Sequence, residues 1–121
     1  MATRELEVTL RERDGAVVLA LHGEVNASAE AALQSAYGEA TSGDPAAVVL
    51  DFSDVEYINS TGIALIVGLL AQARAREVEV RASGLSDHYR EIFEITRLAD
   101  FMTIADSEDS AVQAKDGSSD E

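Results

Sequence analysis

Residues 46–70 read AAVVLDFSDVEYINSTGIALIVGLL, which has the pattern of a strand followed by the start of a helix. Residues 46–52 are apolar at nearly every position, and such a run is typical of a strand that is buried on both faces of a sheet. We expect residues 53–59 to carry the chain across to a helix at about residues 60–76. This strand-to-helix unit predicts an α/β fold.

The predicted helix has an apolar stripe at helical spacing, which should face the sheet. Its members are Ile63, Ile66, Val67 and Leu70. Leu65 and Leu69 lie beside this stripe, where they either form an interaction patch or are covered by the third helix. We expect burial for both.

The segments before this unit predict a β-hairpin and a helix. Residues 6–10 alternate between apolar and polar side chains, and residues 16–21 are rich in Val and Leu, with the turn Arg13-Asp14-Gly15 between them. Residues 23–26 are expected to break the second strand. Residues 27–40 then have helical spacing, and a turn with Gly and Pro ends that helix.

The segments after the central unit continue the alternation of strands and helices. In order, they are a strand at 77–82, a helix at 86–96, a short strand at 102–104 and a weak helix at 107–115. The resulting order is β-β-α-β-α-β-α-β. It predicts a mixed sheet of four to five strands with three to four helices, in which right-handed crossovers join parallel strands.

The composition is that of one acidic domain. We expect residues 1–115 to form the domain and residues 116–121 to form a disordered acidic tail. The formal net charge is −14, and the absence of Lys and Arg clusters argues against direct binding to nucleic acid or to a membrane. The chain begins without the apolar run of a signal peptide, so we expect a cytoplasmic protein.

The ingredients of an enzyme are missing from the sequence. A hydrolase built on Ser60 would need a neighbouring base, yet nothing places His22 or His88 beside it and no Gly-x-Ser-x-Gly turn is present. A phosphate-binding loop is excluded, and the absence of Cys together with scattered carboxylates predicts no metal site. We therefore predict a protein that is not an enzyme, has no catalytic residues and uses no cofactor or metal.

The sequence Asn59-Ser60-Thr61-Gly62 is typical of a helix N-terminus. Asn and Ser side chains accept hydrogen bonds from the unpaired amides of the first turn, so both residues have a structural explanation as caps. Gly62 lacks a Cβ, which permits close approach by a neighbouring loop or by a partner.

The chain closely resembles the STAS domains of anti-sigma factor antagonists. The resemblance rests on three motifs in the same order, at residues 22–25, 48–67 and 85–98, and it covers nearly the whole chain. It implies the STAS fold, with a buried strand that leads into a helix beginning with an (Asp/Asn)-Ser-(Ser/Thr)-Gly motif.

The resemblance also implies a partner-switching cycle. In that cycle the unmodified domain binds an anti-sigma factor that is also a serine kinase, the kinase phosphorylates the motif serine, and a serine phosphatase restores it. The motif serine corresponds to Ser60. The implied partner surface lies in the loop after the second strand and on the exposed side of the second helix, and its expected residues are Glu24, Asn26, Asn59, Ser60, Thr61 and Gly62. Glu24 and Asn26 are explained equally well as a turn and a cap.

The residue before Ser60 differs from the pattern of many family members. Many family members have Asp before the serine, whereas this chain has Asn59, so a carboxylate that could interact with the kinase or the phosphatase is absent.

STAS domains also serve as unphosphorylated subunits of lipid-transport ATPase complexes or of larger signalling assemblies. That role is the alternative to the switch at Ser60.

Overall fold

The computed structural model describes residues 5–113, in which a five-stranded sheet carries four helices. The strands are β1 (Glu7–Arg13), β2 (Ala16–Val25), β3 (Ala47–Ile58), β4 (Glu79–Ser83) and β5 (Thr103–Ile104). The helices are α1 (Glu30–Thr41), α2 (Ser60–Ala75), α3 (Asp87–Ile95) and α4 (Glu108–Gln113), and short 3₁₀ turns occupy Ala27–Ala29 and Leu98–Asp100. The predicted α/β class and element order are confirmed. The expected acidic tail at 116–121 lies outside the described residues.

The strands are adjacent in sequence order. β1 pairs antiparallel with β2, and β2, β3, β4 and β5 pair in parallel. Right-handed crossovers between strands in this order place α1, α2 and α3 on the same face of the sheet. The main core lies there, between these helices and the inward side chains of β2, β3 and β4. The T-shaped pair of Phe52 and Phe93 joins β3 to α3 within it.

The opposite face of the sheet is covered in part by α4. Ala111 and Val112 of this short helix pack on small residues of β2 and β3. Arg81 is buried beneath α4 and donates a hydrogen bond from Nη1 to the backbone oxygen of Ala111 at 3.0 Å. An isolated helix of six residues would be unstable in water, so these contacts hold α4 in place.

Ion pairs fasten the first turn of α4 to β1. Arg11 donates two hydrogen bonds to the Glu108 carboxylate, at 2.7 and 2.9 Å, and Arg13 donates to Glu108 and Asp109 at 2.7 and 2.8 Å. The hydrogen bond from Arg11 is the main cause that lowers the pKa of Glu108 to about 2. Glu108 therefore stays ionised well into the acid range.

Two strands extend further than predicted. β3 was expected to end at residue 52, but it continues to Ile58, and β2 continues through Gly23 to Val25. The reason is their mutual pairing, which persists through irregularities at Gly23 and ends with Val25 opposite Ile58. Hydrogen bonding between the strands here overrides the weak strand pattern of the polar residues.

The buried face of α2 also differs in part from the prediction. Gly62, Ile66, Leu69, Leu70 and Ala73 are buried, whereas Val67 is 47% exposed. The prediction that Val67 faces the core is therefore wrong. The expected burial is confirmed for Leu69, whereas Leu65 is only partly buried against the core. α2 is apolar on most sides, so residue spacing alone does not select the face that meets the sheet.

Candidate functional site

The candidate site lies where β2 and β3 end and α2 begins. Val25 and Ile58 are opposite each other in the last rung of this strand pair. The backbone amide of Asn59 then donates to the backbone oxygen of Val25 at 3.2 Å. This bond holds the chain after β2 against the start of α2, so the two segments expected to form the partner surface lie side by side.

Asn59 is the N-cap of α2. Its backbone is extended, with φ −94° and ψ −178°, and its side-chain oxygen accepts a hydrogen bond from the Gly62 amide at 2.8 Å. Ser60 is the first helical residue and is exposed, and its hydroxyl makes no hydrogen bond within residues 5–113. The capping expected of both residues is therefore performed by Asn59 alone.

Gly62 is required by the close approach of α2 to the end of β2. A Cβ at this position would clash with the backbone oxygen of Val25 and would lie 2.7 Å from its carbonyl carbon. Because these are backbone atoms, they cannot move aside without shifting β2. The sequence left open whether Gly62 permits close approach by a neighbouring segment of the chain or by a partner. The structure shows close approach by the end of β2.

The loop after β2 is ordered by Asn26. Its side-chain oxygen accepts hydrogen bonds from the amide of Ser28 at 3.0 Å and from the hydroxyl of Ser28 at 2.7 Å. Asn26 thus caps the short 3₁₀ turn at Ala27–Ala29, as its structural explanation predicted. Glu24 is half-buried at the end of β2, and its carboxylate lies 3.5 Å from the side-chain nitrogen of Asn26.

Two tyrosines that the sequence did not assign to the site lie at the end of β3. The hydroxyl of Tyr89 on α3 accepts a hydrogen bond from the Ile58 amide at 2.9 Å, which fixes the backbone immediately before Asn59. Tyr57 is 53% exposed and pairs with Glu24 across β2 and β3. An aromatic residue next to the motif was the available signal for Tyr57, but no local pattern identifies the contact of Tyr89.

The surroundings of Ser60 are acidic. Residues 14–73 contain no Lys or Arg, while Glu24, Asp54 and Glu56 lie near the ends of β2 and β3. These elements therefore contain no Lys or Arg that could pair with a negative charge placed at the start of α2. A positive or neutral surface of a binding protein would be complementary to this end of the sheet.

The two histidines make contacts with other residues. Nδ1 of His22 lies 2.8 Å from the Asp54 carboxylate, and the ring of His88 packs against Tyr89.

Within residues 5–113, no group of three or more His, Asp or Glu side chains is placed to hold a metal ion. The same residues include no helix with the length and apolar character that a membrane span requires.

Comparisons with known proteins bear on the family and the fold. The family model for the STAS domain matches residues 7–111. BtrV of Bordetella bronchiseptica is 28% identical over 109 residues, which are 90% of this chain and 94% of that protein. The anti-sigma-F factor antagonist RsfB of Mycobacterium tuberculosis is 35% identical over 65 residues, and the match spans about half of each chain, 54% of this one and 53% of RsfB.

A solved structure also has the same fold. The crystal structure of an anti-sigma factor antagonist from Mycobacterium paratuberculosis matches with a TM-score of 0.76 at 22% identity. The match covers 89% of this chain and 92% of that protein. At this identity the likeness supports the fold and no more.

Proposed function

The chain belongs to the STAS domain family, and we propose that it is an anti-sigma factor antagonist regulated by phosphorylation of Ser60. In its unmodified form it binds an anti-sigma factor that is also a serine kinase. Phosphorylation of Ser60 by that kinase releases it, and a serine phosphatase restores binding. The family match, the name of RsfB and the Ser60 motif support this role, which is that of a regulatory binding protein rather than of an enzyme.

The observation that carries the proposal is the division of roles at the start of α2. Asn59 caps the helix and Gly62 packs against Val25, so the hydroxyl of Ser60 is not needed to hold the start of α2 in place. That hydroxyl is exposed on the first helical turn, where a kinase can reach it. A serine that only stabilised the helix would be expected to make the capping bond itself.

A phosphate on Ser60 would act on binding rather than on folding. It adds about −1.5 to −2 charges beside the positive end of the α2 dipole, which favours negative charge. A partner surface shaped for a neutral hydroxyl must then desolvate or repel the phosphate. A coupling of about 1–3 kcal/mol corresponds to a change in affinity of roughly 5- to 150-fold.

The proposed contact surface consists of the exposed residues around Ser60. Ser60 and Thr61 are exposed, and Glu24 and Asn26 are half-buried beside them. Gly62 is buried, so its part is to hold Ser60 in position rather than to contact the partner.

Phosphorylation by the cognate kinase tests the modification site. Incubation of the wild-type chain with the purified anti-sigma factor kinase and ATP should add one phosphate, which peptide mapping by mass spectrometry should locate on Ser60. Thr61→Ala is the matched control, and its phosphate should still map to Ser60, whereas Ser60→Ala should accept none. Phosphate on another residue, or none with a kinase shown to be active, would contradict the assignment.

Calorimetry with the same kinase tests the switch. Ser60→Ala should bind like the unmodified wild type, since a small neutral group replaces another. Ser60→Asp should bind more weakly, although its smaller charge makes it an imperfect substitute for phosphoserine. If Ser60→Asp and the phosphorylated chain both bind as tightly as wild type, the switch is wrong.

Position 59 offers a further test of the same cycle. Asn59→Asp keeps an oxygen that can accept from the Gly62 amide, so the fold should be preserved. The new carboxylate should change the rate of phosphorylation or of dephosphorylation. Unchanged rates in both directions would mean that Asn59 acts only as a cap.

A further inference from the structure

The exposed face of α2 runs without interruption from Ser60 to the other end of the helix. Ser60, Ala64, Val67, Ala71 and Arg74 are all exposed and follow each other at intervals of three or four residues. At a rise of 1.5 Å per residue, this face is about 21 Å long. Apart from its two ends, it offers small or apolar side chains to solvent.

The C-terminal half of this face borders an apolar groove of about 240 Å³ between α2 and the segment after α3. The groove, called here the α2 groove, is lined by Val67, Leu70, Ala71, Arg74, Thr96, Arg97, Leu98 and Phe101. Leu70 and Leu98 are buried and form its floor, whereas the flanking Val67 and Phe101 are 47% and 53% exposed. Neighbouring large apolar residues that remain exposed often mark an interaction site.

The α2 groove has an uncompensated positive charge at one end. Arg74 is the first Lys or Arg after Arg13, and its guanidinium lies 5.4 Å from the centre of the Phe101 ring. No carboxylate pairs with Arg74 in the described part of the chain, whereas Arg97 is paired with Asp100 at 2.7 Å. In a protein of net charge −14, an unpaired Arg beside an exposed aromatic residue is complementary to an acidic, apolar partner.

We propose that the α2 groove is a second contact point for the anti-sigma factor that binds at Ser60. It receives an apolar side chain of that protein between Val67 and Phe101, and a carboxylate beside that side chain pairs with Arg74. This inference rests on the function proposed above. It adds a specific anchor and the chemistry of the segment that fills it.

The charge pattern of α2 gives this anchor a role in orientation. The Ser60 end lies beside the end of β2 that carries Glu24 and favours a positive or neutral partner surface, while the Arg74 end favours a negative one. A partner that presents these charges in the opposite order would meet like charges at both ends. The two ends of α2 thus define a single direction in which the anti-sigma factor lies along the helix.

Two substitutions in the α2 groove test the inference, each with a matched control outside it. Phe101→Ala should weaken binding to the purified anti-sigma factor kinase about 10- to 30-fold, as expected for removal of an interface anchor. Ile95→Ala is its control, because Ile95 is more exposed than Phe101 and does not line the groove. It should bind like the wild type.

Arg74→Gln should weaken binding about three- to tenfold at low salt, and this difference from wild type should shrink at high salt because an ion pair has been removed. Arg76→Gln is the control, since Arg76 is an exposed arginine at the same helix end but outside the groove. Thermal melts should show all four variants folded, because none of these side chains is buried.

The results separate this inference from the proposed function. If both groove variants bind as tightly as wild type while Ser60→Asp does not, the anchor is wrong and the switch stands. If the groove variants lose affinity while Ser60→Asp and the phosphorylated chain do not, the anchor stands and the switch is wrong. Equal losses in the controls would overturn the anchor, and so would sedimentation showing that Phe101→Ala disrupts self-association of this chain. A wild-type chain that does not bind the kinase would overturn both proposals.

Discussion

Two alanine substitutions at the start of α2, Asn59→Ala and Ser60→Ala, separate the helix cap from the proposed switch. Asn59→Ala removes the oxygen that accepts from the Gly62 amide at 2.8 Å. Gly62 is buried, so water cannot easily replace the lost acceptor. Ser60→Ala removes an exposed hydroxyl that makes no hydrogen bond within residues 5–113.

The two substitutions should therefore differ in their effect on the free energy of unfolding. Loss of an Asn cap costs about 0.5–2 kcal/mol, and the burial of the orphaned Gly62 amide places Asn59→Ala in the upper half of that range. For a domain of this size, such a loss lowers the melting temperature by about 4–10 °C. Ser60→Ala should leave stability unchanged or raise it by a few tenths of a kcal/mol, roughly the difference in helix propensity between Ser and Ala.

Urea denaturation followed by circular dichroism at neutral pH measures both effects, and calorimetry measures kinase binding by the same samples. Asn59→Ala should lose stability and keep Ser60 as a substrate, whereas Ser60→Ala should keep stability and accept no phosphate. Equal destabilisation by the two variants would refute the division of roles at the helix start. In that case Ser60 would be a structural residue, and its exposure would no longer support a switch.

Two further substitutions test the contacts that hold the site and α4. Gly62→Ala should destabilise the domain by more than about 2 kcal/mol in urea denaturation, because its Cβ would meet the backbone of Val25, whereas the control Gly68→Ala has open space and should stabilise α2 by about 0.5–1 kcal/mol. An unstable Gly68→Ala, or a Gly62→Ala as stable as wild type, would contradict the packing described for α2. Glu108 has a pKa lowered from 4.5 to about 2 in the folded state, so its stabilising contribution is present above pH 4.5 and is lost as the pH falls from about 4.5 towards 2. Melting temperatures measured from pH 7 to 2 should consequently fall less steeply for Glu108→Gln than for wild type across this window, and parallel curves would refute the role of the ion pairs.

The sequence predicted the order of the elements well because each has a strong local signal. The turn at Asp14-Gly15 is an example, since both residues adopt positive φ angles of 52° and 85° and a hairpin turn of this kind favours Asp-Gly. The helix start at residue 60 was predicted correctly for the same reason, because Asn and Ser before an apolar run are typical of an N-terminus.

The features that the sequence did not predict depend on contacts between distant segments. Arg11 and Glu108 are 97 residues apart, and nothing in either local sequence indicates their pairing. The hydrogen bond from the Ile58 amide to Tyr89 likewise joins β3 to α3 across 31 residues. Exposure of Val67 was missed because α2 is apolar on most sides, so that its buried side is determined by packing against the sheet and α1, including the close approach of Gly62 to Val25.

The arrangement at the start of α2 explains how a modification there could change binding without unfolding the domain. The requirements of the fold are met by three contacts that leave Ser60 out, namely the cap of Asn59, the packing of Gly62 on Val25 and the hydrogen bond from Ile58 to Tyr89. A phosphate on Ser60 would break none of them, and the α2 dipole would favour its charge. Residues 14–73, which include β2, β3 and the start of α2, contain no Lys or Arg that could pair with the added charge. A switch built in this way changes the complementarity of one surface while the structure that carries it stays the same.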